Sequence, residues 1–126
     1  MKDRGSRDPE RYRLRAEVCR VLTDPKRLML LDVLREGKHS VGDLAEELGC
    51  SLANASQHLA VLRSAGLVET RRAGTTILYS LAEPELVEAC DVIQRIVGRR
   101  LANRAARSAQ LEPVAQNRVP SHGSHA

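Results

Sequence analysis

Apolar side chains recur at helical spacing along most of the chain, and start or stop signals separate the segments. The first predicted helix begins at Asp8-Pro9 and runs to about Leu22, and the second runs from Lys26 to about Arg35. Apolar spacing places Leu14, Val18, Val21 and Leu22 on one side of the first helix, and it predicts that Leu28, Leu31 and Leu34 of the second helix face inward.

Two short helical patterns follow between Val41 and Val68, separated by a break at residues 49–51. The predicted inward residues of the first pattern are Val41, Leu44, Ala45 and Leu48, and those of the second are Leu52, Ala55, Leu59 and Leu62. The opposite face of the second pattern is small, uncharged and rich in hydrogen-bonding groups: Ala53, Asn54, Gln57, Val61 and Ser64, flanked by Ser56 and Ala60.

A face of this kind suits the DNA major groove, because Gln and Asn side chains pair bidentately with adenine edges. Ser51 stands at the N-cap position, where the exposed amides of the helix start favour a phosphate. The pattern predicts a helix-turn-helix whose recognition helix spans residues 52–64. The alternative is a plain helical hairpin within a small bundle.

After Gly66 the pattern changes to two strand-like runs, residues 67–72 and 76–81, around the turn Ala73-Gly74-Thr75. β-branched residues on both sides of a Gly turn predict a β-hairpin. Arg71 and Arg72 lie near its tip, so we expect a wing that contacts a phosphate backbone. A hairpin that merely packs on the helices explains the strand pattern equally well, but it does not explain the adjacent arginines.

The last predicted helix opens at Glu83-Pro84 and carries an apolar stripe at Leu86, Cys90, Ile93, Val97 and Leu101. A single helix cannot bury its own face, so we expect a second copy of the chain to cover this stripe together with the first helix. The predicted dimer-interface residues are Leu14, Val18, Leu86, Cys90, Ile93 and Val97. We expect a mobile N-terminus at residues 1–8, a domain at 9–107 and a disordered tail at 108–126. The arginines near the end of this helix suit a helix C-terminus.

Composition narrows the class of partner. The 126 residues provide for one domain with a modest core, and the net charge of +4 permits a nucleic-acid partner without demanding one. Aromatic residues make up 2% of the chain, which argues against stacking on unpaired bases. Since no apolar run suits a membrane span or a signal peptide, we expect a cytoplasmic chain with no membrane partner and with reduced cysteines.

The stretch LTDPKRLMLLDVLREGKHSVGDLAEELGCSLANASQHLAVLRSAGLVETRRAGTTILYSL resembles the winged-helix core of the ArsR/SmtB repressors. The matching parts are D-P-x-R-L in the second helix, S-Q-H-L-x-x-L-R-x-A-G-L-V in the recognition helix, and R-R-x-G…Y-S-L in the wing. The resemblance covers roughly residues 10–105. It implies a mainly α fold with a small β-hairpin wing, in the order α-α-α-α-β-β-α.

The resemblance also implies a homodimer that binds a double-stranded DNA operator and leaves it when an inducer binds. The positions that match its DNA contacts are Asn54, Ser56, Gln57 and His58, with the wing at residues 71–76. The full set of expected DNA-binding residues is Ser51, Asn54, Ser56, Gln57, His58, Arg63, Arg71, Arg72, Thr75 and Thr76. The wing often has Lys or Arg after its Gly, whereas Thr75 and Thr76 follow here, so we expect a weaker contact on that side.

The inducer sites typical of such repressors are not matched. The soft-metal motif E-L-C-x-C-D-L aligns with residues 39–44, which lack both thiolates. The zinc and nickel positions correspond to Glu83, Glu85, Ile96 and Arg99, and the persulfide-sensing positions correspond to Asp32 and Gly98. We therefore predict no metal site and no cofactor, and the inducer stays unknown.

Three cysteines remain as candidate sensor thiols, Cys19, Cys50 and Cys90. Cys90 lies on the apolar stripe, where a thiol is most often a small buried hydrophobe, and a pair with Cys19 is conceivable. Cys50 adjoins the N-terminus of the recognition helix, where the helix dipole favours the reactive thiolate, although packing explains it too. Oxidants, reactive sulfur species and thiophilic metals are the corresponding inducer classes.

Two other classes of function stand against the repressor. The sequence shows no paired carboxylates, phosphate loop or nucleophile with a base, so we do not expect an enzyme. The remaining alternative is a dimeric winged-helix module that binds protein without specific DNA binding. Salt dependence of binding to duplex DNA distinguishes these two readings.

Overall fold

The computed structural model describes residues 7–115, with the side chains described up to residue 110. Helices α1 (Pro9–Val21) and α2 (Pro25–Leu34) are followed by the short strand β1 (His39–Ser40). Helices α3 (Val41–Leu48) and α4 (Leu52–Ser64), strands β2 (Val68–Ala73) and β3 (Thr76–Leu81), and helix α5 (Leu86–Ala115) complete the order. The chain divides into two compact units with the boundary between Val87 and Glu88. The predicted winged helix-turn-helix order is confirmed, with one extra strand.

Side-chain caps explain where the first four helices begin. Asp24 accepts hydrogen bonds from the backbone N–H groups of Lys26 at 2.8 Å and Arg27 at 3.3 Å, and a proline occupies the first position of α2. Asp8 caps α1, Ser40 caps α3 and Ser51 caps α4 in the same way. Each cap satisfies backbone donors that have no partner inside the helix.

The core of the first unit is built from leucine and valine. Its buried cluster comprises Leu30, Leu31, Leu34, Leu44, Leu59, Leu62, Leu67 and Val68. Partly buried apolar residues pack against it, among them Val18, Val21, Leu22, Val41, Leu48 and Leu86. The inward positions predicted for α3 and for the middle of α4 are confirmed.

Two predicted core residues are exposed instead. Leu28 is 39% exposed and Leu30 is fully buried, because α2 contacts α3, α4 and β3 and its buried face is therefore centred on Leu30 and Leu34. Leu52 is 59% exposed, since it is the first residue of α4 and precedes the first buried position of that helix, Ala55. The prediction that these two leucines face inward is wrong.

The strands form one antiparallel sheet in the order β1-β3-β2. Pairing runs from Val68 opposite Leu81 to Ala73 opposite Thr76, and Gly74 supplies the left-handed turn with φ of 67°. The hairpin is confirmed with β2 one residue later than predicted. Strand β1 pairs His39 with Tyr79 and was not predicted, because two residues carry no alternating pattern.

Helix α5 continues to Ala115, whereas the sequence pattern predicts its end near Arg107 and a disordered tail from residue 108. The apolar period ends there, but Ala105, Ala106, Ala109 and Gln110 are strong helix formers and no glycine interrupts them. Residues 108–115 are therefore helical. The rest of the predicted tail and residues 1–6 of the predicted N-terminus lie outside the described residues. Among the described helices none is long and apolar enough to span a bilayer.

Candidate nucleic-acid interface

Helix α4 separates into a buried side and an exposed side. Ala55, Leu59 and Leu62 are fully buried in the core. The side chains on the outer side are exposed and uncharged: Ala53, Ser56, Gln57, Ala60, Val61 and Ser64. Burial of one side fixes which side chains the helix presents to a partner. The presented face is smooth, with an amide and hydroxyls available for hydrogen bonding.

The start of α4 is shaped by Ser51, whose Oγ accepts a hydrogen bond from the backbone N–H of Asn54 at 3.0 Å. Ser51 itself is exposed. The first amides of a helix have no acceptor within it and attract anions. The predicted phosphate position at this helix start is therefore accessible.

Asn54 is less accessible to a partner than its position on the outer side of α4 suggests. The residue is half-buried, and its Oδ1 atom is covered without a hydrogen-bond partner. Its carboxamide oxygen therefore points into the protein, and base reading by Asn54 stays a prediction.

His58 faces the inside of the first unit. Its side chain is 16% exposed, and its Nδ1 atom lies 3.4 Å from Nη1 of Arg27 and 3.9 Å from Oδ1 of Asp24. Arg27 also donates from Nε to the carbonyl oxygen of Val21 at 2.6 Å. Asp24, Arg27 and His58, called here the α2–α4 junction, thus connect the end of α1, the start of α2 and the recognition helix.

The side chain of His58 is therefore turned toward α2 in the single chain. A DNA contact by His58 stays a prediction. Sequence reasoning missed Arg27 as its partner, although the D-P-x-R-L motif contains it. The motif marks Arg27 in the sequence, but only tertiary packing brings residues 27 and 58 together.

The pKa of the Asp24 carboxyl group is shifted by its surroundings at the junction. Desolvation raises the pKa of Asp24, but the N–H groups of Lys26 and Arg27 and the nearby His58 and Arg27 side chains outweigh it. The net pKa lies below the ordinary value of a carboxyl group. The charged form of Asp24 is therefore the one that this structure stabilises.

The hairpin presents two exposed arginines, Arg71 opposite Leu78 and Arg72 opposite Ile77. Successive residues of a strand point to opposite faces, so the two guanidinium groups leave the sheet on different sides. Thr75 and Thr76 are exposed at the turn, and Arg63 is exposed in the last turn of α4. The structure therefore leaves all five side chains accessible.

The predicted dimer residues fall into two groups. Leu14 is 52% exposed, Ile93 57% and Val97 41%, so these side chains lack cover in the single chain. Val18 and Leu86 pack against the core of their own chain and are half-buried, as is Cys90.

The other two candidate thiols differ in accessibility. Cys19 is exposed on α1, whereas Cys50 is half-buried, and its backbone N–H donates to the carbonyl of Ala45 at 3.0 Å. Among the side chains that the structure describes, residues 7–110, no three of His, Cys, Asp or Glu converge as a metal site.

Comparison with known proteins agrees with this geometry. A helix-turn-helix domain family matches residues 22–71. The HTH-type transcriptional regulator Rv0081 of Mycobacterium tuberculosis is 40% identical over 96 residues, which cover 75% of this chain and 84% of that protein. Its crystal structure superposes with a TM-score of 0.69 at 38% identity, covering 78% of this chain and 98% of the other.

The names of two further relatives state a function. The homodimeric winged helix-turn-helix DNA-binding domain of Mb0332 from Mycobacterium bovis, a possible ArsR-family regulator, superposes with a TM-score of 0.68 at 31% identity, covering 82% of this chain and 93% of that one. The biofilm growth-associated repressor of Xylella fastidiosa is 40% identical over 81 residues, which cover 64% of this chain and 71% of that protein.

Proposed function

The chain belongs to the ArsR/SmtB family of winged helix-turn-helix transcriptional regulators, and from this premise we propose that it is a homodimeric repressor of double-stranded DNA operators. The observation that carries the proposal is the exposed face of α4, which is uncharged on the outside while Ala55, Leu59 and Leu62 anchor the inside. A helix held in this way can enter a major groove with a defined orientation. The function is binding, not catalysis.

In this proposal Gln57 is the principal base-reading residue. It is exposed near the middle of α4, and its amide can pair bidentately with adenine. Ser56 contributes a hydroxyl, and Ala53 can contact a thymine methyl group. The start of α4 at Ser51 receives a phosphate, and Arg63, Arg71 and Arg72 neutralise others.

Dimerisation is supported by the apolar side chains that α5 leaves exposed. Val92, Ile93, Val97 and Leu101 are between 41% and 58% exposed in the single chain. Exposed apolar patches of this kind mark interaction sites, and a two-fold dimer places two recognition helices for successive major grooves.

The test is binding of the full chain to duplex DNA, with the operator obtained by selection from a random-sequence duplex library. Gln57→Ala should cost roughly 1–3 kcal/mol on the operator and relax the preference at one base pair. Arg71→Ala should weaken binding to operator and random duplex alike, and lower the salt slope by about one. Gln94→Ala, which removes an exposed amide from α5, is the matched control and should change neither quantity.

Two results would contradict the proposal. If Gln57→Ala and Arg71→Ala behave alike on operator and random DNA, the assignment of their roles is wrong. If the wild-type chain shows no salt-dependent affinity for duplex DNA, the protein-interaction module becomes the better account.

We propose further that the inducer acts through thiols, as an oxidant, a reactive sulfur species or a thiophilic metal. Support comes from position: Cys19 is exposed on α1, and Cys50 directly precedes the cap of the recognition helix. Modification at Cys50 would disturb the backbone bond that closes α3. A differential of a few kcal/mol between bound and released states is sufficient to shift a repressor.

A set of Cys19→Ser, Cys50→Ser and Cys90→Ser variants tests this inducer. Operator binding is followed while oxidant, polysulfide or a thiophilic metal is added, and the wild type should release DNA where the triple variant does not. If the triple variant still responds to the reagent that releases wild type, the cysteines are packing residues.

A further inference from the structure

The second half of α5 carries a concentrated positive charge. Between residues 92 and 111 there are five arginines and no aspartate or glutamate, at positions Arg95, Arg99, Arg100, Arg104 and Arg107. The whole chain has a net charge of +4, so the remainder of the molecule is close to neutral and slightly acidic. The positive charge of this protein is therefore largely a property of one helical segment.

Most of these arginines share one face of the helix. At 100° per residue, Arg99, Arg100, Arg104 and Arg107 lie on one side, together with Asn103. All are exposed, and none forms an ion pair with an acidic side chain among residues 7–110, where side chains are described. From Arg99 to Arg107 the face extends about 12 Å along the axis at 1.5 Å per residue. We call it the α5 basic face.

Neutralising the helix dipole does not account for these charges. Basic side chains stabilise the last turn of a helix, and the effect falls off within that turn. Helix α5 ends at Ala115, two turns after Arg107, and its last turn contains no basic residue. The arginines therefore carry an unpaired, mutually repulsive charge that costs stability in the free protein and that an anionic partner would relieve.

The winged-helix elements alone supply few phosphate contacts. On α4 and the hairpin the basic residues are Arg63, Arg71 and Arg72, and Glu69 offsets part of their charge. Neutralising several phosphates is what gives a DNA-binding protein most of its affinity. A second source of positive charge would add to this binding, and within the described residues the α5 basic face offers four exposed arginines.

We propose that the α5 basic face binds the phosphate backbone of duplex DNA as a contact additional to the recognition helix and the wing. The inference rests on the proposed function. Duplex DNA carries one charge per about 1.7 Å of axis, so a face about 12 Å long spans roughly seven phosphate charges. The planar guanidinium groups of arginine match phosphate geometry, and Asn103 can donate to a phosphate oxygen.

A membrane surface is a less suitable partner for this face, because the segment has no Trp or Tyr to anchor at a lipid interface.

The experiment compares two double variants with the wild-type full chain. Arg100→Gln with Arg104→Gln removes two charges from the α5 basic face, four residues apart. The matched control, Arg11→Gln with Arg15→Gln, removes two exposed charges at the same spacing on α1. Glutamine keeps the helix propensity. Binding to a labelled random-sequence duplex is measured by fluorescence anisotropy over a series of salt concentrations, and sedimentation confirms an unchanged oligomer.

We expect the α5 variant to lower the slope of log K against log salt by up to about two per chain, and the α1 control to leave it unchanged. Equal slopes for the α5 variant and wild type overturn the inference, and so does an equal reduction in both variants, which would reflect net charge alone. Phosphatidylserine vesicles form a second arm, and loss of vesicle binding with an unchanged DNA slope would assign the face to a membrane. If wild type binds DNA and the α5 variant binds it with the same salt slope, the inference fails and the proposed function stands.

Discussion

Adjacent residues on α4 have different environments. Gln57 is exposed on the outer side, whereas His58 is turned 100° around the helix toward Arg27 and Asp24. The Nδ1 atom of His58 can accept from Arg27 only when it carries no proton. The residue proposed to contact a base and the residue that packs against α2 are therefore sequence neighbours, and substitutions at the two sites should affect different measurements.

Arg27 should be the residue of the α2–α4 junction on which folding depends most. Arg27→Ala removes the donors to Val21 and His58, and we expect a loss of about 1.5–3 kcal/mol in the free energy of unfolding. Arg27→Lys keeps the charge but not the fork, so it should restore only part of this loss. Arg63→Ala, an exposed arginine on α4, is the control and should stay within about 0.5 kcal/mol. Chemical denaturation measures all three, and equal losses for Arg27→Ala and Arg63→Ala would exclude a structural role for the junction.

Asp24 should make stability depend on pH in the acidic range. Its folded-state pKa is lowered, so its contribution is present above the unfolded pKa of about 3.9 and is lost as the pH falls through the folded value. Asp24→Asn keeps an N-cap acceptor but removes the charge. The difference in Tm between wild type and this variant should be largest above about pH 4 and should shrink below it. A difference that stays constant across that range would refute the assignment.

At the scale of elements, the turn between α3 and α4 is determined by backbone conformation, backbone hydrogen bonds and a helix cap. Gly49 ends α3 in the left-handed conformation with φ of 67°, and its N–H bonds to the carbonyl of Glu46 at 3.1 Å. Cys50 closes the helix onto Ala45, and Ser51 then caps α4. Together they set the path by which the chain enters α4, so the recognition helix is oriented by its turn as well as by its core contacts.

Two glycine substitutions should have opposite effects. Gly49→Ala meets no nearby atom, but the left-handed backbone should cost about 1–2 kcal/mol. Gly98→Ala lies inside α5, also with open space around the new methyl group, and should stabilise by about 0.5–1 kcal/mol. Denaturant unfolding at matched protein concentration measures both changes. The explanation from backbone conformation would not survive if both variants shifted stability in the same direction.

At the scale of the whole molecule, the single chain leaves apolar surface uncovered. Ile93 and Leu101 of α5 are 57% and 58% exposed in the single chain. The homodimeric state of the Mb0332 domain supports a second copy as the cover. In the proposed repressor, the placement of two recognition helices on one operator would depend on this contact.

Ile93→Glu should disrupt the dimer, because it places an unpaired charge in the proposed interface. Ala102→Glu introduces the same side chain on another face of α5 and should leave the dimer intact. Sedimentation velocity of both variants at equal concentration gives the answer. An unchanged dimer after Ile93→Glu would count against an interface through this stripe.

Local signals were sufficient for much of the fold. Asp24-Pro25, Ser51 and the glycines at 49 and 74 mark element ends through caps and backbone conformation, which depend on a few neighbouring residues. For that reason α4 begins and ends where its apolar spacing predicts, at residues 52 and 64, and the hairpin lies where its turn predicts.

Packing between segments that are distant in sequence determined the rest of the fold. Burial of Leu30 in place of Leu28, exposure of Leu52 and the pairing of β1 with β3 depend on which elements meet. His58 shows this most clearly for the site: in sequence it belongs to a DNA-reading motif, but Arg27, thirty-one residues away, holds it against α2. Periodicity gives the angle of a side chain around its helix, and only the tertiary arrangement determines what lies at that angle.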